Sequence, residues 1–308
     1  MFKRLLVPLD RSPLAEQAIG RAAAIARAAH ASIDLVIVHS PAPIDGYDEA
    51  PWNASAWCDE HAYVESVANE LASGTSLVVT HGVLTGDPVE MICQRAEDVD
   101  ADLIVMSSHS RRGLARFWLG SITDGVVRHT SLPVLVLHPE DTRTRRDAAH
   151  HLPKHILVPV DKALGSTAIF PAATALARCG NARISLLRVL EAAPVIAVPA
   201  GIPVASAPPL ADEPQTERRM IDAKEQLDAL AFALREESAL EVDTHVATDP
   251  GVASTILEFA KTNGIDAIAM STHARGASRF VLGSVADAVL RRGGLPTLVL
   301  PCRGAGWN

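Results

Sequence analysis

One ordered set of short segments occurs twice in this chain, and a sequence that repeats at domain scale must fold as similar units placed in tandem. Leu6-Val7-Pro8-Leu9-Asp10 returns as Leu157-Val158-Pro159-Val160-Asp161, 151 positions later. Asp87-Pro88 matches Asp249-Pro250, Gly120-Ser121 matches Gly283-Ser284 and Leu132-Pro133 matches Leu295-Pro296, at offsets of 162 or 163. The second copy is therefore longer between its first strand and its Asp-Pro, and the Pro- and Ala-rich run from Ala192 to Pro214 is the place for the excess. A length of 308 residues leaves room for two domains, each with its own core. The reading divides the chain into a first domain over 1–139, a linker over 140–154 rich in charge and histidine, and a second domain over 155–308.

Strands and helices alternate within each copy. Arg4 to Leu9 is a short apolar run of the kind a fully buried parallel strand shows. Ser12-Pro13 reads as an N-cap with proline at the first helical position, and Leu14, Ala18, Ala22, Ile25, Ala26 and Ala29 share one helical face. A strand over Ile33–Val38 follows, then an irregular connection from Pro41 to Trp57 and a helix marked by Val64, Val67, Ala68 and Leu71. A third strand is predicted near Ser76–Thr80, and Thr85-Gly86-Asp87-Pro88 turns into a helix whose inner face is Val89, Ile92, Cys93 and Ala96. Asp102–Met106 and Val134–Leu137 complete the strands, with a helix carrying Ile122, Val126 and Val127 between them. In the second copy the strands fall near Ile156–Val160, Ile184–Val189, Val242–Val246, Ala267–Met270 and Thr297–Leu300, and Cys179-Gly180 reads as a helix stop with glycine as the left-handed cap. The alternation predicts an α/β fold, parallel sheets with helices on both faces.

Ligands of such sheets bind at the carboxyl ends of the strands. The stretches Met106–Ser121 and Met270–Ser284 leave a strand there and enter a helix through Gly-Ser. A helix start presents free amide hydrogens and the positive end of a dipole, a good seat for phosphate. Arg111, Arg112 and Arg116 lie in the first loop and Arg275 and Arg279 in the second. The plainer reading makes each Gly-Ser an ordinary helix entrance capped by serine. Asp10 and Asp161 end their first strands at the same rim, where each either accepts hydrogen bonds from a ribose or base, or caps the next helix.

Composition narrows the function classes. A formal charge of −8 argues against an extended nucleic-acid surface. Four cysteines without a Cys-x-x-Cys pair argue against a disulfide framework or thiolate metal site. No apolar run is long enough to span a bilayer and no signal peptide is visible, so a cytoplasmic location with no membrane partner is expected. His150, His151 and His155 read as a solvated linker stretch, and His109 and His273 as structural residues of the two loops. No Gly-x-Ser-x-Gly elbow marks a hydrolase.

The order Val-Pro-Leu-Asp, Gly-Asp-Pro, Asp-Leu-Ile-Val-Met, Ser-His, Leu-Gly-Ser and Leu-Pro-Val-Leu-Val-Leu resembles the universal stress protein family, here as a tandem of two domains. The resemblance implies two Rossmann-like domains of the adenine nucleotide alpha hydrolase-like class, each with a five-stranded parallel sheet, pairing through Val134–Leu137 and Thr297–Leu300. It also implies a stress-response regulator that binds ATP or ADP, with magnesium, in at least one domain. By the same resemblance, adenosine contacts fall on Asp10 and Ser40 and the remaining nucleotide contacts on Met106, Ser107, Ser110, Gly120 and Ser121. The second-half counterparts are Asp161, Val189, Ser271, Ala274, Gly283 and Ser284. The chain departs from the family's Gly-x2-Gly-x9-Gly-Ser/Thr loop: serines 107 and 110 stand at the leading glycine positions of the first half, Ser271 and Ala274 at those of the second, which is also one residue short. If a leading position requires φ > 0, a side chain there costs about 1–2 kcal/mol, roughly a factor of ten in affinity. The first half, with full spacing, is the better site. Two further readings stay open: an interaction or dimerisation module of the same fold without nucleotide, and a slow ATPase. A homodimer is a further expected association.

Overall fold

The computed structural model describes residues 1–40, 54–73, 75–108, 119–138, 151–162, 164–191, 213–273 and 282–302. In chain order the first half runs β1 (Arg4–Leu9), α1 (Pro13–Ala29), β2 (Ser32–His39), α2 (Ala54–Ala72), β3 (Val79–Thr85), α3 (Pro88–Asp98), β4 (Leu103–Ser107), α4 (Ser121–His129) and β5 (Val134–Leu137). The second half repeats the plan as β6 (His155–Pro159), a 3-10 turn (Leu164–Ile169), α5 (Phe170–Gly180), β7 (Arg183–Leu190), α6 (Glu213–Ser238), β8 (Val242–Thr248), α7 (Val252–Thr262), β9 (Ala267–His273), α8 (Ser284–Arg292) and β10 (Thr297–Cys302).

These strands make one sheet in the order β3-β2-β1-β4-β5-β10-β9-β6-β7-β8. Every pairing is parallel except the central one, where β5 and β10 run antiparallel with Leu135 opposite Leu298. Each half is thus a five-stranded parallel sheet whose order reverses direction between its first and fourth strands, and their last strands join the halves.

Alternation along the buried strands sorts the core into two layers. Leu5, Val7 and Leu9 of β1 pack with the alanine face of α1, Val64 and Ala68 of α2, and residues of α5 and α6. Leu6 packs on the other face with Ile92 of α3, Val126 and Val127 of α4, and residues of α7 and α8. Gly125 allows α4 to approach α3, because a Cβ there would lie 2.5 Å from a Val89 methyl. Beside the seam, Arg128 pairs with Asp124 at 2.7 Å and Arg291 with Asp287 at 2.9 Å, and across it Arg291 reaches Asp124 at 3.6 Å. The first two are i, i+4 pairs within one helix, and the third ties α4 to α8.

Several local expectations are met in detail. Ser12 caps α1, accepting from the Ala15 amide at 3.1 Å, and the turn through Asp87 enters α3, where Asp87 proves to be the cap, accepting from Val89 and Glu90 at 3.0 Å. Others need correction. β3 runs from Val79 to Thr85 rather than near Ser76–Thr80: it is an edge strand in register with Ile33–His39 of β2, so polar Thr80 and His81 belong to it while Val78 stays exposed. Helix α2 takes in residues 54–57 of the expected irregular connection; residues 41–53 lie outside the described residues, as do 192–212 of the insertion. Asp102 precedes β4, where its carboxylate accepts from the Lys3 amide at 2.6 Å, and Asp266 does the same for Lys154 and His155 in the second half. Gly180 is the last helical residue of α5, and Asn181 holds the left-handed cap at φ 49°. The glycine is required for space instead, since its Cβ would stand 2.1 Å from the Pro153 carbonyl oxygen.

His155 is a further correction. It is no solvated linker residue but the first residue of β6, 6% exposed, with Nε2 2.7 Å from Ser185 Oγ and Nδ1 accepting from Arg183 at 3.0 Å. An arginine donating to Nδ1 leaves the proton on Nε2, so the ring is held neutral. Burial, and then the Arg183 charge, push its pKa down, with Asp243 and Asp266 opposing. The unfolded chain, with its histidine near 6.5, then binds the proton more readily than the folded one. This contribution to stability is present above about pH 6.5 and is lost as pH falls toward the folded value. Thermal melts between pH 7 and about pH 5 should show a steeper loss in the parent protein than in His155→Gln; parallel curves would remove His155 as the cause.

Candidate functional site

Each half has a cavity at the carboxyl end of its sheet where the strand order reverses, the place expected for ligands in such folds. The first, of about 530 Å³, lies between the ends of β1 and β4, the end of β2 and the start of α4. Asp10, Ser40, Met106, Ser107, Gly120 and Ser121 all line it, with Arg11, Glu60, Ile37 and Thr123. The second, of about 520 Å³, brings together Asp161, Val189, Ser271, Gly283 and Ser284. Ser110 and Ala274 lie outside the described residues, as do His109, the side chain of His273 and the loop arginines.

Neither Gly-Ser pair is an entrance capped by serine. Gly120 and Gly283 are the cap residues, Ser121 and Ser284 are the first helical residues, and no side chain caps either helix. The first-turn amides therefore face the crevice without an internal carboxylate or hydroxyl partner at the cap. The Gly120 amide itself is held from behind by Ser108 Oγ at 3.3 Å, and Thr123 Oγ1 donates to the Ser107 carbonyl at 3.3 Å. Ser108 is 2% exposed and its second-half equivalent, Thr272, is also buried. Sequence reasoning passed over this residue; the signal was a hydroxyl repeated one position after the loop's first serine.

Asp10 does not cap α1 either. Asp10 Oδ1 accepts from the Ser12 amide at 3.1 Å, while Ser12 itself caps α1. Asp161 Oδ1 accepts from the Lys162 amide at 2.7 Å, well before α5 begins. Arg11 takes a left-handed backbone at φ 63° and sets its guanidinium 5.8 Å from the Tyr63 ring centroid. Tyr63 donates to Glu16 at 2.7 Å, and burial together with that bond pushes its phenol pKa up, so it stays a neutral donor. Glu60 reaches His39 Nδ1 at 2.8 Å on the crevice wall. None of these partners stood out in the sequence.

Two expectations about the loop change. Ser107 and Ser271 keep ordinary negative φ, so the penalty set for a side chain in a left-handed position does not apply to either. By strand register the counterpart of Ser40 is Glu191, and Val189 corresponds to Val38, because Pro8 faces Val36 as Pro159 faces Leu187. Among the described residues no group of three or more His, Cys, Asp or Glu is placed to hold a metal, and no helix is long and apolar enough to cross a membrane.

A family model described as the universal stress protein family matches residues 1–138 and 153–301. A universal stress protein of Methanocaldococcus jannaschii is 28% identical over 140 residues, covering 44% of this chain and 82% of the relative. The universal stress protein A homolog 1 of Coxiella burnetii is 28% identical over 139 residues, covering 44% of this chain and 96% of its own. A solved universal stress protein from Archaeoglobus fulgidus superposes with a TM-score of 0.69 at 17% identity, covering 98% of both chains. That structure has the same fold over the whole tandem.

Proposed function

Because this chain belongs to the universal stress protein family, we propose that it is a nucleotide-responsive regulator of a stress response which binds ATP or ADP in its first crevice. The observation that supports this reading is the convergence of Asp10, Ser40, Met106, Ser107, Gly120 and Ser121 on one cavity beneath an uncapped helix start. The phosphates would lie against the first-turn amides of α4 and the Ser121 hydroxyl, with the helix dipole favouring their charge. Asp10 would accept from the ribose hydroxyls. Magnesium would enter on the polyphosphate. The order imposed on the segment after β4 would then change what the protein contacts, in the cytoplasm, without a nucleic acid or a membrane as partner.

The test is direct. Millimolar ATP or ADP should give an adduct in native mass spectrometry and raise the melting temperature. Ser121→Glu keeps the helix start favourable while placing a negative charge on the phosphate seat, and should weaken binding roughly tenfold or more. Asp10→Ala removes a charged acceptor and should weaken it by about the same factor. No adduct and no thermal shift in the parent protein would end the proposal.

A second reading, an interaction module without nucleotide, is favoured by one feature: the described wall of the crevice sets Asp10 and Glu60 against the single cation Arg11. The slow ATPase would show as phosphate release that Ser121→Ala abolishes.

A further inference from the structure

The second crevice does not copy the first in charge. Its described lining sets Lys162, Arg188 and Arg219 against Asp161 and Glu191, the opposite balance to the first. The difference centres on Arg188, which the register of β6 and β7 places where the first half has Ile37. A charge at that point of a buried strand is rare unless it is paired.

Arg188 is 4% exposed. Its guanidinium donates to the Val160 carbonyl at 3.4 Å, the Asp161 carbonyl at 3.1 Å and Gln226 Oε1 at 2.7 Å. Every one of these acceptors is neutral, and three bonds leave two of the five guanidinium N–H groups over. Burial pushes the guanidinium pKa down, with the Asp161 charge opposing, yet arginine stays protonated throughout the working range. A cation removed from water whose hydrogen-bond acceptors are all neutral, with only the nearby Asp161 charge to offset it, is energetically incomplete. A forked oxyanion completes it, since carboxylate and phosphate match the guanidinium geometry. Lys162 and Arg219, exposed and lining the same cavity, add long-range attraction, and the uncapped start of α8 lines it too.

We propose that the second crevice binds a small ligand through an oxyanion group, carboxylate or phosphate, seated on Arg188, so that the two halves of the chain take different ligands. The proposal concerns the second crevice alone and stands whether or not the first binds ATP.

The experiment uses the full chain carrying Ser121→Glu, which closes the first crevice to anions. Inorganic phosphate is followed by ³¹P line width and thermal shift, and acetate by thermal shift alone. Broadening or stabilisation by one probe and not the other identifies the head group; a response to both assigns the shared chemistry. Adding Arg188→Met, which keeps the stem but not the charge, should weaken the response roughly tenfold or more, and Arg188→Lys, which keeps charge but loses the fork, should fall between. No response to either probe up to about 50 mM, a range that covers any affinity of biological weight, overturns the proposal. So does an equal response with Arg188→Met. Should Arg188→Met fail to fold by circular dichroism, the surface pair Lys162→Glu and Arg219→Glu takes its place, and an affinity unchanged by both substitutions overturns the proposal.

Discussion

Replacing Asp34 with alanine is expected to lower the stability of the protein by about 3 kcal/mol. Asp34 lies on β2 with no exposed surface, and both of its oxygens are engaged. Arg95 of α3 grips them as a fork, Nε to Oδ2 at 2.8 Å and an amino group to Oδ1 at 2.9 Å, and the Thr80 hydroxyl donates to Oδ1. The hydrogen bond to Asp34 pushes the Arg95 pKa up, with burial opposing. Removing one member of a buried pair typically costs 3–5 kcal/mol because the other charge is stranded. The Arg95 side chain is 26% exposed and recovers some water, which places the loss at the lower end of that range. The measurement is a denaturant midpoint at unchanged slope. Asp34→Leu combined with Arg95→Leu should recover most of the loss, because it removes both charges together; a single variant as stable as the parent would show that the pair contributes nothing net. The second half solves the same position without an ion pair, since Ser185 stands at the register of Asp34 and is met by His155. What the fold requires there is matched polar groups.

Gly180→Val should be comparably harmful, by about 2–3 kcal/mol or more. The chain entering β6 passes so close to the end of α5 that a Cβ on residue 180 would meet the Pro153 carbonyl oxygen at 2.1 Å and Leu152 Cβ at 3.2 Å. Backbone cannot rotate aside as a side chain would, and Lys154 Nζ, bonded to the Gly180 carbonyl at 2.7 Å, fixes the approach from the other side. The neighbouring Asn181 gives the control. It already occupies the left-handed region, so Asn181→Gly should be neutral or slightly stabilising. Thermal or chemical unfolding of the two variants separates the explanations: a harmless change at 180 with a harmful one at 181 would assign the sensitive geometry to the wrong residue.

Those two residues also show what a sequence can disclose. The cap Ser12 and the turn through Asp87 into α3 were legible because both are local chemistry written in three or four adjacent letters. The buried strands and the helix faces were legible because apolar period follows from burial, and the duplication fixed the order of elements in both halves. Gly180 was misread because a helix stop and a close approach both ask for glycine, and only the partner, Pro153, distinguishes them. The edge strand β3 was misplaced for a related reason: with one side unpaired its apolar signal is weak, and its limits come from β2. Of the residues lining the first crevice, Asp10 and Ser121 were singled out because they end or begin elements and Ser40 by the family resemblance, whereas Ser108, Glu60 and Arg188 have partners remote in sequence. Arg188 did leave one trace, a charge inside Ile184-Ser185-Leu186-Leu187-Arg188-Val189-Leu190, an otherwise uncharged run.

The antiparallel join of β5 to β10 has a consequence for how such a protein changes over generations. Two subunits meeting through these strands would separate on dilution and would carry any substitution in both sites at once. A single polypeptide holds the partners at a fixed, high local concentration, so the pair persists at any dose of protein. It also frees each half to alter alone: isoleucine stays at 37 while arginine occupies 188, and one molecule presents two unlike mouths along one continuous sheet.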